Sequence, residues 1–145
     1  MTAVHRMTGR LSVALPPATA FRLFTARGEQ DWVPGWEPRF AGDVEDDTVP
    51  GVVWETGHGD EHTIWLVVDS EPGHRVSYAR VTPASRAGTV TVVVTEAPGG
   101  SDVEVTYAMT ALTTEAGREL DAFAAGYTEF LGTWETAIAA LVARG

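Results

Sequence analysis

From Thr114 onward the apolar residues fall at helical spacing, with Leu120, Phe123, Tyr127, Phe130, Leu131, Trp134 and Ile138 on one stripe. A helix over 115–143 would be roughly 43 Å long at 1.5 Å per residue. In a chain of 145 residues, a rod of that length buries its stripe only if another layer curves around it. A flat sheet of short strands would leave both ends exposed. Thr114 is the expected N-cap, and Glu115 stands near the positive end of the helix dipole. Gly117, Gly126 and Gly132 each cost about 1 kcal/mol relative to Ala. Bare backbone at those points is expected to accommodate something close by, either a strand or a ligand.

The preceding segments supply the layer. "TGRLSVAL", "RFAGDV", "GVVWETG", "HTIWLVVDSE", "HRVSYARVT", "GTVTVVVTEA" and "SDVEVTYAMTAL" read as strands. Their separators "DDTVPG", "GHGDE", "EPG", "PASRAG" and "APGGS" carry turn residues, so the last six strands form consecutive hairpins. In the last strand Val103, Val105, Tyr107 and Met109 lie on one face and Asp102, Glu104, Thr106 and Thr110 on the other, as expected when one face is covered and the other wet. Between the first strand and the meander, "PPATAFRLFTA" predicts a short helix beginning near Pro17 and reaching about Arg27. The stretch "GEQDWVPGWEPRF" follows, where Pro34 and Gly35 impose a bend between Trp32 and Trp36.

No internal repeat or linker interrupts this order, so residues 1–145 are expected to be a single α+β domain. A formal charge of -10 opposes binding to nucleic acid or to an anionic membrane. No apolar run reaches the roughly 18 residues needed for a bilayer span. The opening "MTAVHRMTGR" lacks an apolar signal core, so a cytoplasmic protein is expected. The ten basic side chains are all arginine, and there is no cysteine. Those absences exclude lysine Schiff-base chemistry and thiolate nucleophiles or ligands.

The order strand, short helix, Trp/Pro turn, six-stranded meander and long terminal helix resembles the START/Bet v 1-like superfamily, which includes the SRPBCC and polyketide cyclase-like proteins. The residues carrying it are "LPPATAFRLFT", "WEPRF", "TIWLVVDSEPGHRVSYAR", "DVEVTYAMTAL" and "FLGTWETAIAALV". The resemblance spans essentially the whole chain and is nearest to the short bacterial members. It implies a helix-grip fold, a curved antiparallel sheet of about seven strands around the long C-terminal helix. It also implies a cavity between them, often for a small hydrophobic molecule. The brief connection between Phe24 and Phe40 implies a small cavity. Three functions fit the resemblance: ligand binding, a polyketide cyclase or dehydratase, and a chaperone-cofactor or stress-response module. No cofactor is implied, and the chain is expected as a monomer or homodimer.

Candidate residues follow from this frame. Trp54, Trp65, Tyr78 and Tyr107 on the strands, with Met109, are expected to face Phe123, Tyr127 and Phe130 across the cavity. Trp32 and Trp36 are expected at its rim. Arg80 shares a strand face with Tyr78 and Thr82, and Thr63, Trp65 and Val67 are the candidates opposite. If that face points inward, the guanidinium suits a carboxylate, enolate or phenolate; a one-residue change of phase would send it to solvent. Glu55 and His62 face each other across a hairpin as a candidate base and orienter for proton transfer. His58 and His62 have i to i+4 spacing, which aligns metal ligands only on a helix, so no metal is expected there. The acidic run "GDVEDD" lacks the ligand spacing of a calcium loop.

Overall fold

A computed structural model describes residues 4–145; the side chain of His58 lies outside that description. Seven strands form one antiparallel sheet: β1 (Val4–Val13), β2 (Arg39–Phe40), β3 (Val53–His58), β4 (Glu61–Glu71), β5 (Arg75–Thr82), β6 (Arg86–Ala97) and β7 (Gly100–Ala111). Their spatial order is β1-β7-β6-β5-β4-β3-β2, so the first strand closes onto the last. The segment "RFAGDV" contributes only the two residues of β2, because the acidic remainder is held elsewhere. Asp47 accepts the backbone N–H of Arg27, Asp46 accepts both donors of Thr48, and the Arg27 side chain bonds the Val44 and Glu45 carbonyls.

Alternation decides which side of the curved sheet is inside. Met7, Leu11 and Val13 of β1, Val90, Val92 and Val94 of β6, and Val103, Val105, Tyr107 and Met109 of β7 are all buried. Against this face lie two helices where the sequence predicts one, α2 (Thr114–Ala125) and α3 (Tyr127–Arg144). Gly126 leaves helical geometry at φ -101°, ψ 13° and separates them. The N-cap is Thr113 and not Thr114: its hydroxyl accepts the N–H of Ala116 at 3.0 Å. α3 approaches β1 at Gly9, where a Cβ would stand 2.6 Å from Leu131 Cδ1 and 3.2 Å from Tyr127 Cε2. Bare backbone lets this helix seat, but the glycine responsible is on the strand.

The short helix α1 (Pro17–Arg22) ends five residues before the sequence expectation and is followed by a 3-10 turn at Gly28–Asp31. Gly28 permits the turn, since a Cβ there would meet the Arg22 carbonyl oxygen at 1.7 Å. The chain leaving α1 carries backbone carbonyls with no helical partner. Aromatic side chains supply three of them. Trp32 Nε1 donates to Leu23 O, Tyr78 Oη to Phe24 O and Trp36 Nε1 to Ala26 O, each at 2.7 Å.

Candidate functional site

The register of β4 and β5 fixes the phase of Arg80. Trp65 pairs with Arg80 and Val67 with Tyr78, and a buried hydrogen bond joins the Thr63 and Thr82 hydroxyls at 2.8 Å on the same face. Buried Val67, Tyr78 and Thr82 mark that face as the interior. Arg80 therefore points inward, with its guanidinium carbon 4.8 Å from the centroid of the Trp65 ring. Its Nε is buried without a hydrogen-bond partner, and among the described residues no carboxylate pairs with the guanidinium. The residue keeps some accessible area because one side faces a cavity. It nonetheless lies deep enough that desolvation lowers its pKa, an effect that Tyr107 opposes. Arginine stays charged through such a shift.

The cavity lies between the sheet and α2 and has a volume of about 230 Å³. Tyr107, Met109, Leu120 and Phe123 form its apolar walls, with Arg80 and Arg86 above and Glu119 on the exposed rim. Larger concavities, about 650 Å³ beside α1, about 600 Å³ beneath the β6–β7 turn and about 340 Å³ between that turn and the end of α3, are grooves of the outer surface. They lack buried uncommitted polar groups. The 230 Å³ cavity has one beside it, Arg80 Nε, and the hydroxyl of Tyr107 in the same lining has no hydrogen bond among the described residues. Burial raises the Tyr107 phenol far above its usual range, with Arg80 pulling it back down and Glu29 pushing it further up. The other two tyrosines are committed. Tyr78 is tied to Phe24 O, and Tyr127 donates to Val105 O at 2.6 Å.

Most of the expected aromatic set packs ring on ring. Trp54 and Trp65 stack with an interplanar angle of 2°, and Tyr78 stands edge-on to both. Phe123 and Phe130 are 4.9 Å apart, with Tyr107 and Tyr127 edge-on to Phe123. Trp32 departs from the expected rim position. It is buried, edge-on between Phe24 at 5.7 Å and Trp134 at 5.2 Å. Trp36 packs edge-on against Trp65 at 5.4 Å, and neither tryptophan borders the cavity beside Arg80. Of the expected lining, Tyr107, Met109 and Phe123 border it.

Glu55 and His62 sit elsewhere. Trp54 and Thr63 occupy the inner phase of their strands, so these neighbours project from the outer face. They are 3.8 Å apart and about half exposed, separated from Arg80 by the sheet itself. Proton transfer by this pair to a molecule in the cavity is ruled out by that placement.

Sequence reasoning missed Glu29. The residue is half-buried, and its carboxyl has no hydrogen bond or ion pair among the described residues. Desolvation pushes it well above the usual carboxylate range. The 3-10 turn carries it inward, because residues three apart share a face and Trp32 is buried. That i to i+3 relation was the available signal.

No family model and no curated protein matches the chain. Solved structures do. MLL2253 from Mesorhizobium loti superposes with a TM-score of 0.69 at 16% identity, covering 97% of this chain and 98% of its own. Norcoclaurine synthase from Thalictrum flavum gives 0.69 at 14% identity over 99% of this chain and 89% of that one. DynU16, a protein in the dynemicin biosynthetic locus, gives 0.63 at 17% identity over 90% of this chain and 46% of that one. At such identities the likeness speaks to architecture. The sheet order, the short helix after β1 and the long C-terminal helical segment are those of the helix-grip fold.

Proposed function

We propose that the protein binds a small aromatic or hydrophobic molecule in the cavity between the sheet and α2. The observation that carries this reading is the 230 Å³ space walled by Tyr107, Met109, Leu120 and Phe123. It is smaller than the roughly 300–1,000 Å³ of sites for drug-sized ligands, so the guest has one or two rings. Fold analogy with norcoclaurine synthase and DynU16 supports a small-molecule role without naming the molecule. The test is a ligand-observed NMR screen of neutral one- and two-ring aromatics against the wild type and Phe123→Trp. Binding to the wild type that is lost when the larger ring fills the cavity supports the reading. Absence of binding across the panel, or binding indifferent to Phe123→Trp, refutes it.

A second reading, a polyketide cyclase or dehydratase, has one observation in its favour. Arg80 and the Tyr107 hydroxyl are both uncommitted beside the same cavity, where they would stabilise a developing enolate. Glu55 and His62 take no part in it, because they lie beyond the sheet. Glu119, on the rim, is the carboxylate within the cavity lining. Turnover of a polyketide-like substrate that disappears in Arg80→Ala while binding persists would establish the enzyme.

A further inference from the structure

An aromatic ring buries about 150–250 Å² of surface, an attraction that the cost of association largely offsets. The corresponding affinity is millimolar or only slightly better. Specific recognition in this cavity therefore depends on its polar groups, and these carry a definite sign. Arg86 is already paired, with Nη2 3.0 Å from Glu61 Oε1. Glu119 stands exposed on the rim and forms no ion pair among the described residues. Arg80 is the inward-facing charge of the lining with no ion pair among the described residues; it lies over Trp65, with Tyr107 and Glu61 acting on it through space.

An inward arginine without a directly paired counterion is costly to keep; Glu61, itself paired with Arg86, acts on the guanidinium only through space. The planar guanidinium matches a carboxylate, and the phenol beside it can donate a further hydrogen bond. Resting on the pocket reading above, we propose that the ligand is a small aromatic monocarboxylate. Its ring lies against Met109, Leu120 and Phe123, its carboxylate on the Arg80 guanidinium, and one carboxylate oxygen accepts the Tyr107 hydroxyl. One cation without a directly paired counterion favours one negative charge over two. A chain with net charge -10 offers no long-range attraction to a dianion either.

The experiment compares benzoate with benzamide, which has nearly the same shape and no charge, by ligand-observed NMR titration. It uses the wild type, Arg80→Met and Tyr107→Phe, each first checked for a cooperative thermal transition. The wild type should bind benzoate at least about 10-fold tighter than benzamide, in the range of a charge-assisted hydrogen bond. Arg80→Met, whose stem still covers Trp65, should lose the preference while its benzamide affinity stays within about twofold. Tyr107→Phe should weaken benzoate severalfold and benzamide by less, narrowing the preference, and this variant carries the test if Arg80→Met does not fold. Equal affinities in the wild type overturn the carboxylate assignment and leave the pocket reading standing, as does a preference that survives both variants. Failure of both probes and of the neutral aromatic panel overturns the two together.

Discussion

Replacing Trp32 with alanine tests whether that ring is a core element or a cavity rim. Its indole is 7% exposed and lies edge-on to Phe24 and Trp134, and its N–H bonds Leu23 O at 2.7 Å. Removing about 200 Å² of buried aromatic surface forfeits about 5 kcal/mol of transfer free energy at roughly 25 cal/mol per Å². Partial collapse recovers some of it, while the carbonyl left without its donor costs about 1 kcal/mol more. A net loss of about 4 kcal/mol is a large share of the roughly 5–15 kcal/mol that holds a domain folded. With a urea m-value of about 2 kcal/mol per M, the unfolding midpoint should fall by about 2 M at unchanged m. Trp36, only partly buried, should cost about half as much when replaced by alanine. Tryptophan fluorescence and far-UV circular dichroism during urea titration provide the assay. A midpoint shift below about 0.5 M for Trp32→Ala, or a larger shift for Trp36→Ala, would refute the packing argument.

Two further substitutions address other features. The carboxyl of Glu29 is held above its ordinary pKa by burial, so between the unfolded value of about 4.3 and the raised folded value the native state keeps a proton that the unfolded chain has released. Stability from that group is thus present at low pH and declines as pH rises through this window. Glu29→Gln should match the wild type near pH 4 and melt several degrees higher at pH 7–8; parallel melting curves across pH would contradict the buried placement. At Gly9 a valine would press on Leu131 and Tyr127 and should destabilise by about 1–3 kcal/mol, read as a lowered Tm. An unchanged melting temperature would mean that α3 does not rest on that strand.

The architecture was readable because it rests on period alone. Alternation in β4 to β7 and the helical stripe after Thr113 define a covered sheet and its covering rod without any knowledge of partners. The site was less readable, because function here turns on phase. Arg80 and Ala79 differ by one position, and only the pairing with Trp65 and the buried Thr63–Thr82 contact settle which of them points inward. The same parity moves Glu55 and His62 outside once Trp54 and Thr63 take the inner positions. The interruption at Gly126 was equally hidden, since Gly117 and Gly132 are comparable glycines that remain helical. Glu29 looked like one more polar residue beside Asp31 until the turn geometry set it on the face of Trp32.

The backbone oxygens of Leu23, Phe24 and Ala26 are each reached from afar by an indole or a phenol. At Trp32, Trp36 and Tyr78 the chemical identity of the ring consequently matters as much as its bulk. Phenylalanine at Tyr78 would preserve the shape of the contact yet abandon an oxygen that water reaches poorly, at about 1–3 kcal/mol, and at either tryptophan it would lose bulk as well as the donor. Related chains should tolerate exchange between donor-bearing aromatics at these three places more readily than the loss of the donor itself.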